Sequence, residues 1–223
     1  MLPSGAVVIE TAPLPTSAHP NRELVLWMEH PVSHADVDPE AYTCPDFTRG
    51  SYYSGPTRVS LVDTGTGAVI NTVHIEELWT KVPDDSFDVP FRILRGHYRV
   101  DRVGKNGEGK PRIIDLKDYN GDGRALEFAL FDAQNCSITR TSLIGYSIEQ
   151  DRVIRYAIHI DEWFGERNVT LFWLDDLFSN QPVQPGHWHY SKQYNSGDES
   201  TYDIRYDAAR EQFTGTVQNR RLR

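Results

Sequence analysis

The apolar residues of this chain recur in twos rather than at helical spacing. Residues 152–160 are the clearest case. Ile154, Tyr156, Ile158 and Ile160 share one parity, and Val153, Arg155, Ala157 and His159 share the other. Successive side chains of a strand point to opposite faces, so this pattern predicts a strand with two distinct faces. Comparable runs occupy 23–28, 58–63, 68–75, 91–100, 112–116, 126–131, 141–147, 169–173, 186–194, 201–206 and 212–217. Gly, Asp, Asn and Pro separate them, as in Thr64-Gly65-Thr66-Gly67 and the Gly/Lys-rich stretch 104–110. The pattern predicts about eleven to twelve strands at short spacing. Helix is minor, with a turn or two at 76–81 and at 174–178. No period repeats along the chain, which argues against a propeller or a tandem array. The predicted fold is all-β, a single antiparallel β-sandwich or barrel-like domain.

Residues 1–22 are rich in Pro, Thr and Ser and predict an extended or mobile N-terminal segment. The single all-β domain is then 23–223. Inside it, 29–56 carries Pro31, Pro39, Pro45 and Pro56 and reads as a long irregular segment, of the kind that often carries function.

Composition narrows the function classes. The chain has 223 residues, of which 39% are apolar and 11% aromatic, with eleven Tyr and five Trp. Its net charge of −9 argues against nucleic acid or an anionic membrane as partner. No apolar run approaches the ~20 residues that cross a bilayer, so membrane insertion is not expected. Met1-Leu2-Pro3-Ser4-Gly5 lacks the charged start and apolar run of a secretion leader.

Residues 115–132 hold the strongest chemistry. Asp118, Asn120 and Asp122 put oxygen donors at alternate positions, and Gly121 and Gly123 allow a tight fold between them. A hard cation takes several such oxygens. The loop resembles the D-x-[DN]-x-D-G calcium loops of EF-hands, dockerins and FG-GAP or VCBS-type repeats. The resemblance covers about a dozen residues and implies a Ca2+ site rather than a whole-chain family. It implies Asp118, Asn120, Asp122, Arg124 and Glu127 as the ligand positions. Position 12 of an EF-hand loop needs an acid and is Ala129 here. Position 9, usually acidic in the FG-GAP form, is Leu126, and Glu127 follows one residue later. The strand-like flanks favour the FG-GAP or VCBS form. With Leu126, Phe128 and Leu130 facing the core, Glu127 points the other way. The competing explanation is a metal-free Asn-Gly/Asp-Gly turn closing a hairpin.

A weak calcium site belongs where calcium is millimolar, so the domain is expected to be periplasmic or secreted, with its leader absent; a cytoplasmic protein is the alternative. Cys44 and Cys136 then form either a disulfide or two separate thiols. Asn135-Cys136-Ser137 and Asn168-Val169-Thr170 match the glycosylation tripeptide.

Two further constellations are candidates. His187 and His189 project from one face of a strand and form an alternative metal site, with His159, His97 or His74 as a third ligand. Such pairs occur in cupin-type jelly rolls, but the next acid here is Asp198, with Glu199 beside it. Asp161-Glu162 and Asp175-Asp176 lie near aromatics, and Trp163, Trp173 and Trp188 are candidate platforms for a glycan or other small polar ligand. No nucleophile elbow, zincin helix, P-loop or dinucleotide fingerprint is present. The expected function is a calcium-stabilised extracytoplasmic binding domain. The alternative is an enzyme: a metal-dependent jelly roll using the two histidines, or a glycan hydrolase.

Overall fold

A computed structural model describes residues 1–16, 18–34, 52–75, 99–100, 111–135, 138–163, 165–194 and 196–221. Strands in chain order are β1 (Ala6–Pro13), β2 (Arg22–Glu29), β3 (Val32–His34), β4 (Tyr52–Ser54), β5 (Thr57–Asp63), β6 (Ala68–Ile75), β7 (Arg99–Val100), β8 (Pro111–Arg112), β9 (Glu127–Asn135), β10 (Ile138–Ser147), β11 (Arg152–Arg155), β12 (Ile158–Trp163), β13 (Glu166–Leu171), β14 (Leu174–Asp175), β15 (His187–Gln193), β16 (Asp198–Asp207) and β17 (Gln212–Arg221). A 3-10 turn at Leu177–Ser179 is the helical element among the described residues. Cys44, Cys136, His97 and the expected turn at 76–81 lie outside the described residues.

The fold is all-β and sandwich-like, and among the described residues none of its sheets closes into a barrel. One sheet has the order β1-β2-β5-β6. A second centres on β10, which pairs with β9, β11 and β14. The third is five-stranded, β13-β12-β17-β16-β15. Its β12–β17 pair is parallel, whereas the other strand pairs among the described residues are antiparallel. The predicted turn at 64–67 closes the β5–β6 hairpin: Gly67 stands at φ 71°, and the Asp63 carbonyl accepts its N–H at 2.7 Å. The alternating run at 152–160 is divided after Arg155 into β11 and β12, which enter different sheets. Divisions of this kind, and short ladders such as β3–β4, give seventeen strands among the described residues.

One cluster of buried apolar side chains runs through all three larger sheets. β1 lies within the residues that the sequence marks as an extended N-terminal segment. It pairs with β2 along its length and carries Ala12 into the core, with Leu14 just beyond it. Polar clasps join the first sheet to the rest. Arg22 on β2 donates to Asp151 through Nε at 2.9 Å and through a terminal nitrogen at 2.6 Å, and also bonds Asp63. The Asn71 side chain donates to Val153 O at 2.8 Å and accepts from Val153 N at 2.9 Å. A side-chain amide thus satisfies the edge of β11, whose backbone groups would otherwise be costly to bury.

β9 and β10 form the inner layer. From Leu126 to Phe131 every residue is buried, and so is every residue from Thr141 to Ser147. Over these two stretches both parities are covered, so neither stretch has a solvent face.

Candidate functional site

The loop between Lys117 and Glu127 is closed at its base by a two-residue bridge. Lys117 N donates to Glu127 O at 2.7 Å, and Glu127 N to Lys117 O at 3.2 Å. Within it, short side chains accept the backbone N–H groups that a tight turn leaves unpaired. Asp118 accepts from Gly121 N at 2.7 Å and Gly123 N at 2.9 Å. Asn120 accepts from Asp122 N at 2.9 Å, and Asp122 from Arg124 N at 2.8 Å. Gly121 and Gly123 take φ of 80° and 85°, which side-chain-bearing residues rarely adopt.

The loop sorts its donors into two groups. Asp118, Asp122 and Arg124 are exposed. Asn120 is 7% exposed and turns inward, donating to Glu127 Oε1 at 3.2 Å. Glu127 itself is 0% exposed. Its parity does oppose that of Phe128, as expected, but the opposite face is also interior because β9 is an inner strand. Tyr119 N donates to Glu127 Oε2 at 3.1 Å, and the Tyr156 hydroxyl donates to Oε1 at 3.3 Å. Among the described residues, no cationic side chain is a partner of this carboxyl. Burial pushes it up to about 8, and the nearby negative charges of Asp122 and Asp118 add to the effect.

Glycines make this geometry possible. Gly145 of β10 stands in register with Glu127, and a Cβ there would lie 2.8 Å from Glu127 Cγ. Gly121 and Gly186 dock the loop on the start of β15. A Cβ on Gly121 would lie 2.8 Å from the Pro185 carbonyl, and one on Gly186 would lie 2.4 Å from Asn120 O. Gly145, Gly186 and Tyr156 were not legible as site residues, because their role depends on strands far away in sequence.

The donor chemistry suits a hard cation: carboxylates at 118, 122 and 127, an amide oxygen at 120 and a carbonyl at 124. As the side chains stand, no group of three or more His, Cys, Asp or Glu among the described residues is poised to hold a metal ion.

His187 and His189 do share a face of β15, as their spacing predicts. Both are met by Asp203 of β16. His187 Nε2 lies 3.2 Å from Asp203 Oδ1, and His189 Nδ1 lies 3.3 Å from Asp203 Oδ2. Arg205 Nε lies 3.1 Å from Oδ1 and helps to lower the Asp203 carboxyl, although burial opposes that shift. Sequence reasoning missed Asp203. Its signal was the β15–β16 register, which sets it directly opposite His189. His159 lies on β12, where its Nδ1 is 3.3 Å from Thr170 Oγ1.

The proposed aromatic platform does not hold together. Trp188 is 1% exposed, packed edge-on against Phe178 and Phe213, and its indole N–H donates to Asn180 O at 3.0 Å. Trp173 is 3% exposed and lies beneath the Arg155 guanidinium. Both belong to the core and have no open ring face for a sugar. A folded domain of this size needs large apolar side chains inside, and these two serve that need. Trp163 is half-buried and tilts against Tyr202, with ring centroids 6.2 Å apart. Asp161 and Glu162 are exposed beside it. Asp175 and Asp176 are instead tied to the largely buried Lys192, an ion-paired cluster rather than a free pair of carboxylates.

Among the described residues no helix is long and apolar enough to cross a membrane. Comparison of the chain with protein-family models, with curated proteins and with solved structures finds no match.

Proposed function

We propose that this chain is a calcium-stabilised extracytoplasmic β domain that acts by binding a ligand rather than by catalysis. Glu127 carries the reading. A carboxylate fully removed from water, with no cationic partner among the described residues, costs several kcal/mol when ionised. Two neighbouring acids raise that cost further. A proton or a bound cation relieves it, and the donors around Glu127 are the oxygens that calcium prefers. Asp118, Asn120, Asp122, Glu127 and the Arg124 carbonyl would hold the ion. It would fix the loop against Pro185 and Gly186, and so fix the start of β15. A glycan or similar small polar ligand is the ligand class we favour, with the half-buried Trp163 beside Asp161 and Glu162 as its contact surface.

Thermal melting in calcium and in EDTA tests the metal reading. Calcium at a hundredfold excess over Kd stabilises by ~2.7 kcal/mol. For a chain of this length that is a shift of roughly 5–10 °C. Asp118→Ala and Asp122→Ala should each abolish the shift. A calcium-loaded sample whose melting curve ignores chelator would end the proposal.

A further inference from the structure

We propose that Asn120-Gly121 is a latent self-modification site, a point of deamidation through a succinimide, which the Asp118 carboxylate holds silent in the folded loop. An asparagine followed by glycine reacts with its own chain, because the next residue has no side chain to hinder the approach. The Gly121 nitrogen, having lost its proton, attacks Asn120 Cγ. The N–Cγ bond forms, the Cγ–Nδ2 bond breaks, and ammonia leaves with that proton. Water then opens the five-membered ring to aspartate or isoaspartate. Asp122-Gly123 can close the same ring with loss of water, more slowly, because a carboxylate is the poorer electrophile.

Asp118 meets both nucleophiles. Its Oδ1 accepts from Gly121 N at 2.7 Å, and its Oδ2 accepts from Gly123 N at 2.9 Å. A carboxylate at that distance opposes the build-up of a second negative charge on either nitrogen. The same bonds fix both peptide planes. The electrophile is tied as well. Asn120 Oδ1 accepts from Asp122 N at 2.9 Å, and Nδ2 donates to Glu127 Oε1 at 3.2 Å. Ring closure needs Cγ aligned on the Gly121 nitrogen, and an amide held at both polar atoms is not free to swing there. Asn120 is also buried, and Gly121 is seated against the Pro185 carbonyl. Reaction therefore requires the loop to open first. The change is one-way: it replaces a donor to Glu127 with an acid, beside a carboxyl that is already buried. No step involves calcium, and the test runs in chelator, so this proposal and the calcium reading stand or fall separately.

Tryptic mapping by mass spectrometry tests it, on whole protein aged in EDTA either folded or unfolded in guanidinium chloride. Peptide 118–124 reports Asn120 apart from the chain's other Asn-Gly pair, Asn106-Gly107. Folded wild type should convert Asn120 at least about tenfold more slowly than the unfolded chain. Asp118→Ala, verified as folded by circular dichroism, should speed conversion in the folded protein by at least about tenfold, since two charge-assisted hydrogen bonds are lost. Val59→Ala opens a cavity in the core on β5 and destabilises the whole fold, but leaves the bonds of the loop in place. Its Asn120 should convert within about twofold of the wild-type rate. Equal rates in folded and unfolded wild type would overturn the proposal. So would an Asp118→Ala rate equal to that of the wild type, or a Val59→Ala rate equal to that of Asp118→Ala.

Discussion

Gly186→Ala isolates the contact that joins the 118–127 loop to the sheet. Gly186 stands at φ 73°, and a Cβ there would lie 2.4 Å from the Asn120 carbonyl oxygen. The first cost is conformational, about 1–2 kcal/mol for an ordinary residue in the left-handed region. The second is steric. The obstacle is backbone, and Gly121 is seated against Pro185 on the same contact, so the loop has little room to retreat. Overpacking of this kind costs about 1–3 kcal/mol. The total is roughly 2–5 kcal/mol, or a fall in Tm of about 4–20 °C for a chain of this size. Gly123→Ala supplies the control. It has φ 85° and nothing within 4 Å of its would-be Cβ, so it bears the conformational cost alone. Both variants lose the same entropy from the unfolded chain, and that term cancels in their difference. Urea denaturation of the two variants in EDTA should therefore leave Gly186→Ala about 1–3 kcal/mol less stable than Gly123→Ala. If the two variants have equal stability, the loop is not braced on β15.

Glu127→Gln tests the buried carboxyl. Its folded value of about 8 lies above the ordinary 4.5, so the folded state holds the proton more tightly. In chelator, that contribution to stability is fully present below pH 4.5 and is lost as pH rises through 8, by at most about 5 kcal/mol. Glu127→Gln should cost about 1 kcal/mol at pH 5 through the weakened Tyr119 contact, then gain on the wild type as pH rises. A difference in denaturation free energy that stays flat between pH 5 and 9 would contradict the burial argument. Trp188→Ala should destabilise the domain by about 3–5 kcal/mol, as loss of a buried ring does. In iodide quenching, Trp163 should account for more of the accessible tryptophan emission than Trp173 and Trp188 together, as comparison with Trp163→Phe would reveal.

What could be read from the sequence divides along a physical line. The all-β class was legible because period-two alternation is local, and so was the β5–β6 turn, where Gly67 must take a positive φ. The pairing of His187 and His189 on one face was legible for the same reason. What failed was every inference that assumed a strand has one wet face. β9 obeys strict parity, yet Glu127 is as buried as Phe128, because β9 is sandwiched within the fold. Trp173 and Trp188 failed likewise: their rings were equally compatible with a platform or a core, and only the packing of Phe178 and Phe213 decides for the core. Asp203 was invisible because register between strands is not written in the spacing of either one. The same reasoning explains why the loop matters. A surface hairpin would tolerate an acid at 127 without consequence, and only the burial of β9 turns that acid into a charge that must be neutralised. The candidate site therefore arises from the meeting of a locally legible loop with a layer arrangement that no local pattern could disclose.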